Sequence, residues 1–217
     1  MGSVGGMDLK LYTIDGRGEP TRLLLLIHGY GANEFHLASF GPLIDPGRSF
    51  LVAAPRGPML LPPDGAAWWD IDVETFDFDY ALLPASLAAL DRLVDDVCAD
   101  RGYERSQAVI GGFSQGAALA LALGFQRSDK PRPAGVLCMS GVLLDAELVD
   151  WDLEAGRDVA VLVQHGDRDP FLPPARATEV AETLRAAGVD VEQHTYDMEH
   201  DIVLAGLQDA AAWLARH

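Results

Sequence analysis

Lysine is almost missing from this chain: Lys10 and Lys130 are the only two among 217 residues. Basic side chains number 16 against 33 acidic ones, a formal net charge of −17. Such a field repels phosphate backbones and anionic bilayer surfaces, so nucleic acid is not expected as a partner. The acids are mostly aspartate, a bias that either a high-salt habitat or a GC-rich coding sequence can produce. Cysteine is equally scarce. Cys98 and Cys138 are too few for a disulfide framework, and Cys138, inside the apolar run 136–139, reads as an inert core thiol.

No apolar run approaches the roughly 20 uncharged residues that a membrane span requires. The run 23–27 is far too short and follows no basic leader, so neither a signal peptide nor stable membrane insertion is expected. The chain therefore reads as cytoplasmic. H-E-x-x-H is missing and the cysteines lie near no histidine, so no metal site and no cofactor are expected. Repeats and long polar tracts are also lacking. The Gly-rich residues 1–6 read as a flexible terminus or a cloning remnant, which leaves 7–217 as a single domain.

What the chain does have is a recurring pattern. Apolar runs at 23–27, 50–54, 108–110, 135–139 and 159–163 read as buried strands, because strands covered on both faces need apolar side chains at every position. Helical stretches at 82–99, 115–125, 174–187 and 204–216 lie between and after them. Strands alternating with helices predict an α/β fold, a mostly parallel sheet with helices on both faces. Residues 10–14 are expected to add an antiparallel edge strand. Residues 189–196 alternate polar with apolar and read as the other edge. In such sheets ligands bind beyond the carboxyl ends of the strands.

The unusual residues lie at those ends. Gly112-Phe113-Ser114-Gln115-Gly116 fits G-x-S-x-G between an apolar run and an Ala/Leu helix. A nucleophilic serine there stands in a strained turn, and the flanking glycines remove the Cβ atoms that would clash. The bland alternative is a Gly-rich turn with Ser114 as a helix cap. Earlier, 23–27 ends in His28-Gly29-Tyr30-Gly31. A tetrahedral intermediate needs two preorganised donors for its oxyanion, and the backbone N–H groups of Gln115 and Tyr30 are the candidates. His28 is read as a brace for its loop.

Run 159–163 leads into Gln164-His165-Gly166-Asp167-Arg168-Asp169-Pro170. Asp167 and Asp169 both compete for the role of orienting acid. Asp167 suits a turn aspartate, and Asp169, held away from helix by Pro170, is favoured. Of the histidines after Asp169, His194 falls within the last strand pattern and His217 is the terminal residue. His200, in the polar loop before the last helix, fits a chain order of Ser, Asp, His. Trp69, in the Pro-rich loop 55–70 with its exposed-looking aromatics, is a candidate pocket wall, or else a packing residue. Segment 141–156 is the other candidate cover, too short for a large cap domain.

These residues together resemble the phospholipase/carboxylesterase family of α/β hydrolases, the group that includes acyl-protein thioesterases. His28-Gly29-Tyr30-Gly31, Trp69-Asp70-Ile71, G-F-S-Q-G at 112–116, H-G-D-R-D-P at 165–170 and His200 fall in the family's order. The resemblance implies the triad Ser114, Asp169 and His200, with Tyr30 and Gln115 as oxyanion donors. It also implies a small-molecule ester or thioester as substrate, cleaved through an acyl-enzyme, and it leaves a homodimer open. Two departures concern the substrate: Tyr30 stands where leucine is common, and Phe171-Leu172-Pro173-Pro174 replaces a more aliphatic loop near the acyl chain. Phe171 and Leu172 are therefore candidate pocket residues. The rival readings are a catalytically silent small-molecule-binding protein on the same fold and a dienelactone-hydrolase-like enzyme, for which cysteine would be usual at the elbow.

Overall fold

A computed structural model describes residues 7–72, 74–75 and 77–217; the terminal segment 1–6 considered above lies outside them. Its centre is a seven-stranded sheet made of β1 (Leu11–Ile14), β2 (Arg22–Ile27), β3 (Phe50–Pro55), β4 (Ala108–Phe113), β5 (Gly135–Met139), β6 (Ala160–Gly166) and β7 (Val191–Tyr196). The spatial order is β1-β3-β2-β4-β5-β6-β7. β1 pairs antiparallel with β3 and every other neighbouring pair is parallel. Both edges are the ones expected from the sequence.

Alternation along β2 explains why its run is wholly apolar. Leu23, Leu25 and Ile27 enter one core with α3 (Leu83–Arg101), α4 (Gln115–Phe125) and α5 (Ala175–Ala186). Leu24 and Leu26 enter the other, with the short α1 (Glu34–Ala38) and α2 (Gly41–Ile44) and with α6 (Leu204–Leu214). Each leucine so buried contributes about 1.5–3 kcal/mol relative to exposure. Every residue of α4 is buried, as its Ala/Leu composition requires. Cys98 and Cys138 are free and buried, and burial pushes the Cys138 thiol up to about 12, so it stays protonated.

Between β3 and α3 the chain forms two small hairpins, Met59–Leu61 with Gly65–Ala67 and Asp70–Ile71 with Phe78–Asp79. The tryptophans between them are not exposed. Trp68 is 0% and Trp69 3% exposed, both within the α3–α4 core. Packing, the plainer of the two readings, describes their side chains. Their backbone can be buried because it is bonded: Trp68 N–H donates to Gln115 Oε1 at 3.1 Å, and Trp68 O accepts from Ser86 Oγ at 2.8 Å. Segment 141–156 folds back along the end of α4, where Asp152 N–H donates to Phe125 O at 2.8 Å. Among the described residues no helix is long and apolar enough to cross a membrane.

Candidate active site

Ser114 lies between β4 and α4 with φ 55° and ψ −117°, a conformation that costs a non-glycine residue free energy. Its N–H donates to Met139 O at 3.0 Å, and its carbonyl accepts from Ala117 and Ala118 at 3.0 and 3.1 Å. The flanking glycines are sterically obligatory. A Cβ on Gly112 would lie 2.1 Å from the Gly116 carbonyl, and one on Gly116 would lie 1.8 Å from Ile27 O. So α4 starts almost in contact with the end of β2, and the serine is pushed outward.

That same contact places the His28 loop beside the elbow. His28 is 1% exposed; its Nδ1 lies 2.7 Å from Gly29 O, and its Nε2 accepts the Gly57 N–H at 2.9 Å. A carbonyl only accepts, so Nδ1 carries the proton and the ring is neutral. Burial pushes its pKa down to about 4. His28 O also accepts from Trp68 Nε1 at 2.9 Å. Beyond it, Gly31 N–H donates to Ala66 O at 2.9 Å. The N–H of Gln115 opens α4 and so has no acceptor within the helix. The Gln115 side chain, 3% exposed, also donates from Nε2 to Trp69 O at 3.0 Å, which fastens the elbow to the tryptophan segment. Trp69, a candidate pocket residue, reaches the site through this carbonyl.

The turn after β6 brings in the candidate acid. Asp169 Oδ1 accepts from the N–H groups of Phe171 and Leu172, each at 2.9 Å. Asp169 Oδ2 lies 2.6 Å from His200 Nδ1. Backbone bonds from Asp167 N–H to Tyr196 O (2.9 Å) and from Arg168 N–H to Met198 O (3.1 Å) draw the two loops together. The His200 ring lies between two aromatic rings, with Phe113 at 4.8 Å and Phe171 at 5.6 Å between centroids. Phe113 immediately precedes Ser114, so this ring contact brings the histidine into the neighbourhood of the elbow.

Other contenders lie elsewhere. Asp167 is exposed and faces Arg168. His194 is held on β7 by Glu192 at 2.8 Å and stacks on Tyr196. His217 packs on Trp213. A cleft of about 640 Å3 lies at the amino ends of β2 and β4, lined in part by Thr21, Tyr103 and Gln107, and includes none of these groups. His165 received no role from the sequence; it lies 3.4 Å from Asp169 Oδ2. No group of three or more metal-binding side chains is found among the described residues.

Known proteins resemble this chain in sequence and in fold. Acyl-protein thioesterase 1 of Gibberella zeae is 35% identical over 121 residues, 54% of this chain and about half (51%) of its own length. The putative hydrolase MhqD of Bacillus subtilis is 25% identical over 200 residues, covering 91% of this chain and 94% of that one. Among solved structures, esterase PE8 superposes with TM-score 0.84 at 27% identity, over 97% of this chain and 99% of that one. The Bacillus cereus carboxylesterase, at 22% identity and TM-score 0.81 over 96% and 94% of the two chains, shares the fold. The phospholipase/carboxylesterase family model matches residues 10–217, and the chain belongs to that family of α/β-fold hydrolases.

Proposed function

We propose that this protein cleaves carboxylic esters or thioesters of short to medium acyl chain through an acyl-enzyme on Ser114. The observation that carries the reading is the 2.6 Å contact of His200 Nδ1 with Asp169 Oδ2 beside a serine held in a strained elbow. Ser114 Oγ attacks the carbonyl carbon as His200 Nε2 takes its proton. Asp169 holds the ring in the Nδ1–H tautomer and stabilises the imidazolium. The N–H groups of Tyr30 and Gln115 receive the oxyanion. His200 then protonates the departing alcohol or thiol. Next it takes a proton from water, which attacks the acyl carbon, and returns that proton to Ser114 Oγ as the bond to serine breaks and the acid leaves. Phe171, 55% exposed, and Leu172 flank this centre and meet the substrate first. With no large cap over the site, water-soluble monomeric substrates are preferred to emulsified fat. Two free, buried cysteines suit a reducing cytoplasm.

The test is a panel of p-nitrophenyl esters and matched thioesters of increasing chain length, with fluorophosphonate labelling of intact protein. Turnover and a single label, absent from Ser114→Ala, are expected. A folded protein that neither labels nor turns over any ester or thioester overturns the reading, and the silent small-molecule-binding alternative then stands.

A further inference from the structure

His165 is the penultimate residue of β6 and is 1% exposed. Its Nε2 lies 2.8 Å from Leu172 O and 3.4 Å from Asp169 Oδ2, the oxygen that meets His200. Because the Leu172 carbonyl can only accept, Nε2 carries the proton. The second ring nitrogen, Nδ1, is buried with no protein partner. The Nε2–H tautomer is the one these partners select.

The turn from Asp169 to Leu172 is thus closed from two sides. Its own N–H groups at Phe171 and Leu172 hold Asp169 Oδ1, and His165 ties down the Leu172 carbonyl while its N–H lies alongside Oδ2. Backbone bonds to Oδ1 fix one oxygen of a carboxylate and leave rotation about it open. The 3.4 Å approach of Nε2 to Oδ2, longer than its 2.8 Å bond to Leu172 O, adds a weaker electrostatic contact on that oxygen and leaves the 2.6 Å position to His200.

We propose that His165 is a positioning residue that sets the orientation of Asp169 Oδ2 and, through it, of the His200 ring. The proposal rests on the reading of Ser114, His200 and Asp169 as the catalytic set. It assigns the histidine of H-G-D-R-D-P a task separate from the acid and the base. A misplacement of reacting groups by about 1 Å costs on the order of 100-fold in rate, which sets the scale of the expected effect.

Three substitutions separate the donor from the bulk. His165→Phe fills the space without an N–H, His165→Gln reaches about as far as Nε2 with one, and His165→Asn carries an N–H that falls short. His165→Phe and His165→Asn are expected to lower kcat by about 10- to 100-fold with KM within about twofold, and His165→Gln to recover most of that loss. In an Asp169→Asn background, His165→Phe is expected to cost less than about twofold more, since it acts through the same carboxylate. A folded His165→Phe enzyme within about twofold of wild-type kcat, or a full additional loss in the Asp169→Asn background, overturns the proposal. If the phenylalanine variant does not fold, equal kcat for the asparagine and glutamine variants overturns it. Proton NMR in a Ser114→Ala background supplies a readout independent of turnover. There the far-downfield His200 Nδ1–H signal is expected with His165 intact and with His165→Gln, and broadened beyond detection with His165→Phe. Its persistence in the phenylalanine variant also overturns the proposal. Failure of wild-type protein to label or turn over would instead remove the catalytic reading, with the NMR comparison still deciding what His165 holds.

Discussion

Asp169 and His200, 31 residues apart in the chain, meet through one carboxylate oxygen and one ring nitrogen at 2.6 Å, and the other carboxylate oxygen is already occupied by two backbone N–H groups. Asp169 is therefore held by its own turn independently of the histidine. Removing either partner should be severe. His200→Ala is expected to lower kcat/KM nearly as far as Ser114→Ala, by about 10^4-fold or more, and Asp169→Asn somewhat less. His194→Ala and Asp167→Asn should keep most of the rate, because the first is tied to Glu192 on β7 and the second is exposed. Steady-state kinetics on one short ester decides this, and an active His200→Ala enzyme would assign the base to another histidine.

Gly116→Ala places a Cβ 1.8 Å from Ile27 O, and neither backbone can retreat without separating α4 from β2. The expected cost is more than about 3 kcal/mol, with loss of soluble protein. Gly206→Ala is the control, since the residue lies inside α6, is not followed by proline, and its Cβ would meet only side-chain atoms, the nearest at 3.6 Å. Its urea midpoint should match wild type or exceed it.

His28 should leave a mark on stability against pH. In the unfolded chain its imidazole takes up a proton near pH 6.5, but in the fold only near 4, because burial disfavours the cation. Between those values the unfolded state holds more protons, so stability rises with pH across the window and falls on acidification. The interval corresponds to about 3 kcal/mol lost between pH 7 and pH 4. Urea titrations across that range should show the slope in wild type and a shallower one in His28→Gln. Identical slopes would contradict this account.

The Gln115 amide makes two buried hydrogen bonds, from Trp68 N–H and to Trp69 O. Gln115→Met keeps the volume and leaves both backbone groups unpaired, at an expected cost of about 2–4 kcal/mol. Calorimetry should show the lower melting temperature. A neutral result would mean that the tryptophan segment is held by packing alone.

Much of this architecture could be read from local pattern. Continuous apolar runs marked the strands because α3, α4 and α5 on one side and α1, α2 and α6 on the other demand an apolar side chain at every position of β2. The strand end at β4 was hidden, since Gly111 and Gly112 carry no strand signal although the strand continues to Phe113. Helices of four or five residues such as α1 and α2 are too short to show a period. Trp68 and Trp69 resembled loop aromatics because what allows their burial, the Gln115 amide and Ser86 hydroxyl, comes from distant sequence. Chain order singled out His200, whereas His165 precedes Asp169 and is distinguished only by its neighbours in space.

Substrate access offers a last measurable outcome. With segment 141–156 bonded back to the end of α4, initial rates should follow a smooth saturation curve through the micellar threshold of a medium-chain ester. A sharp rise at that threshold would require a cover over Ser114 that opens at interfaces.

β7 is paired on one side only, to β6. The loop carrying His200 leaves from its end and is laced to the Asp169 turn through Tyr196 and Met198. An edge strand of this kind detaches at lower free-energy cost than the centre of a sheet. Its detachment would part His200 from Asp169 and leave the β2–β4 elbow assembled. Heat should then silence the protein before it melts, so that turnover serves as a thermometer for one margin of the sheet, several degrees ahead of any spectroscopic sign that the whole has come apart.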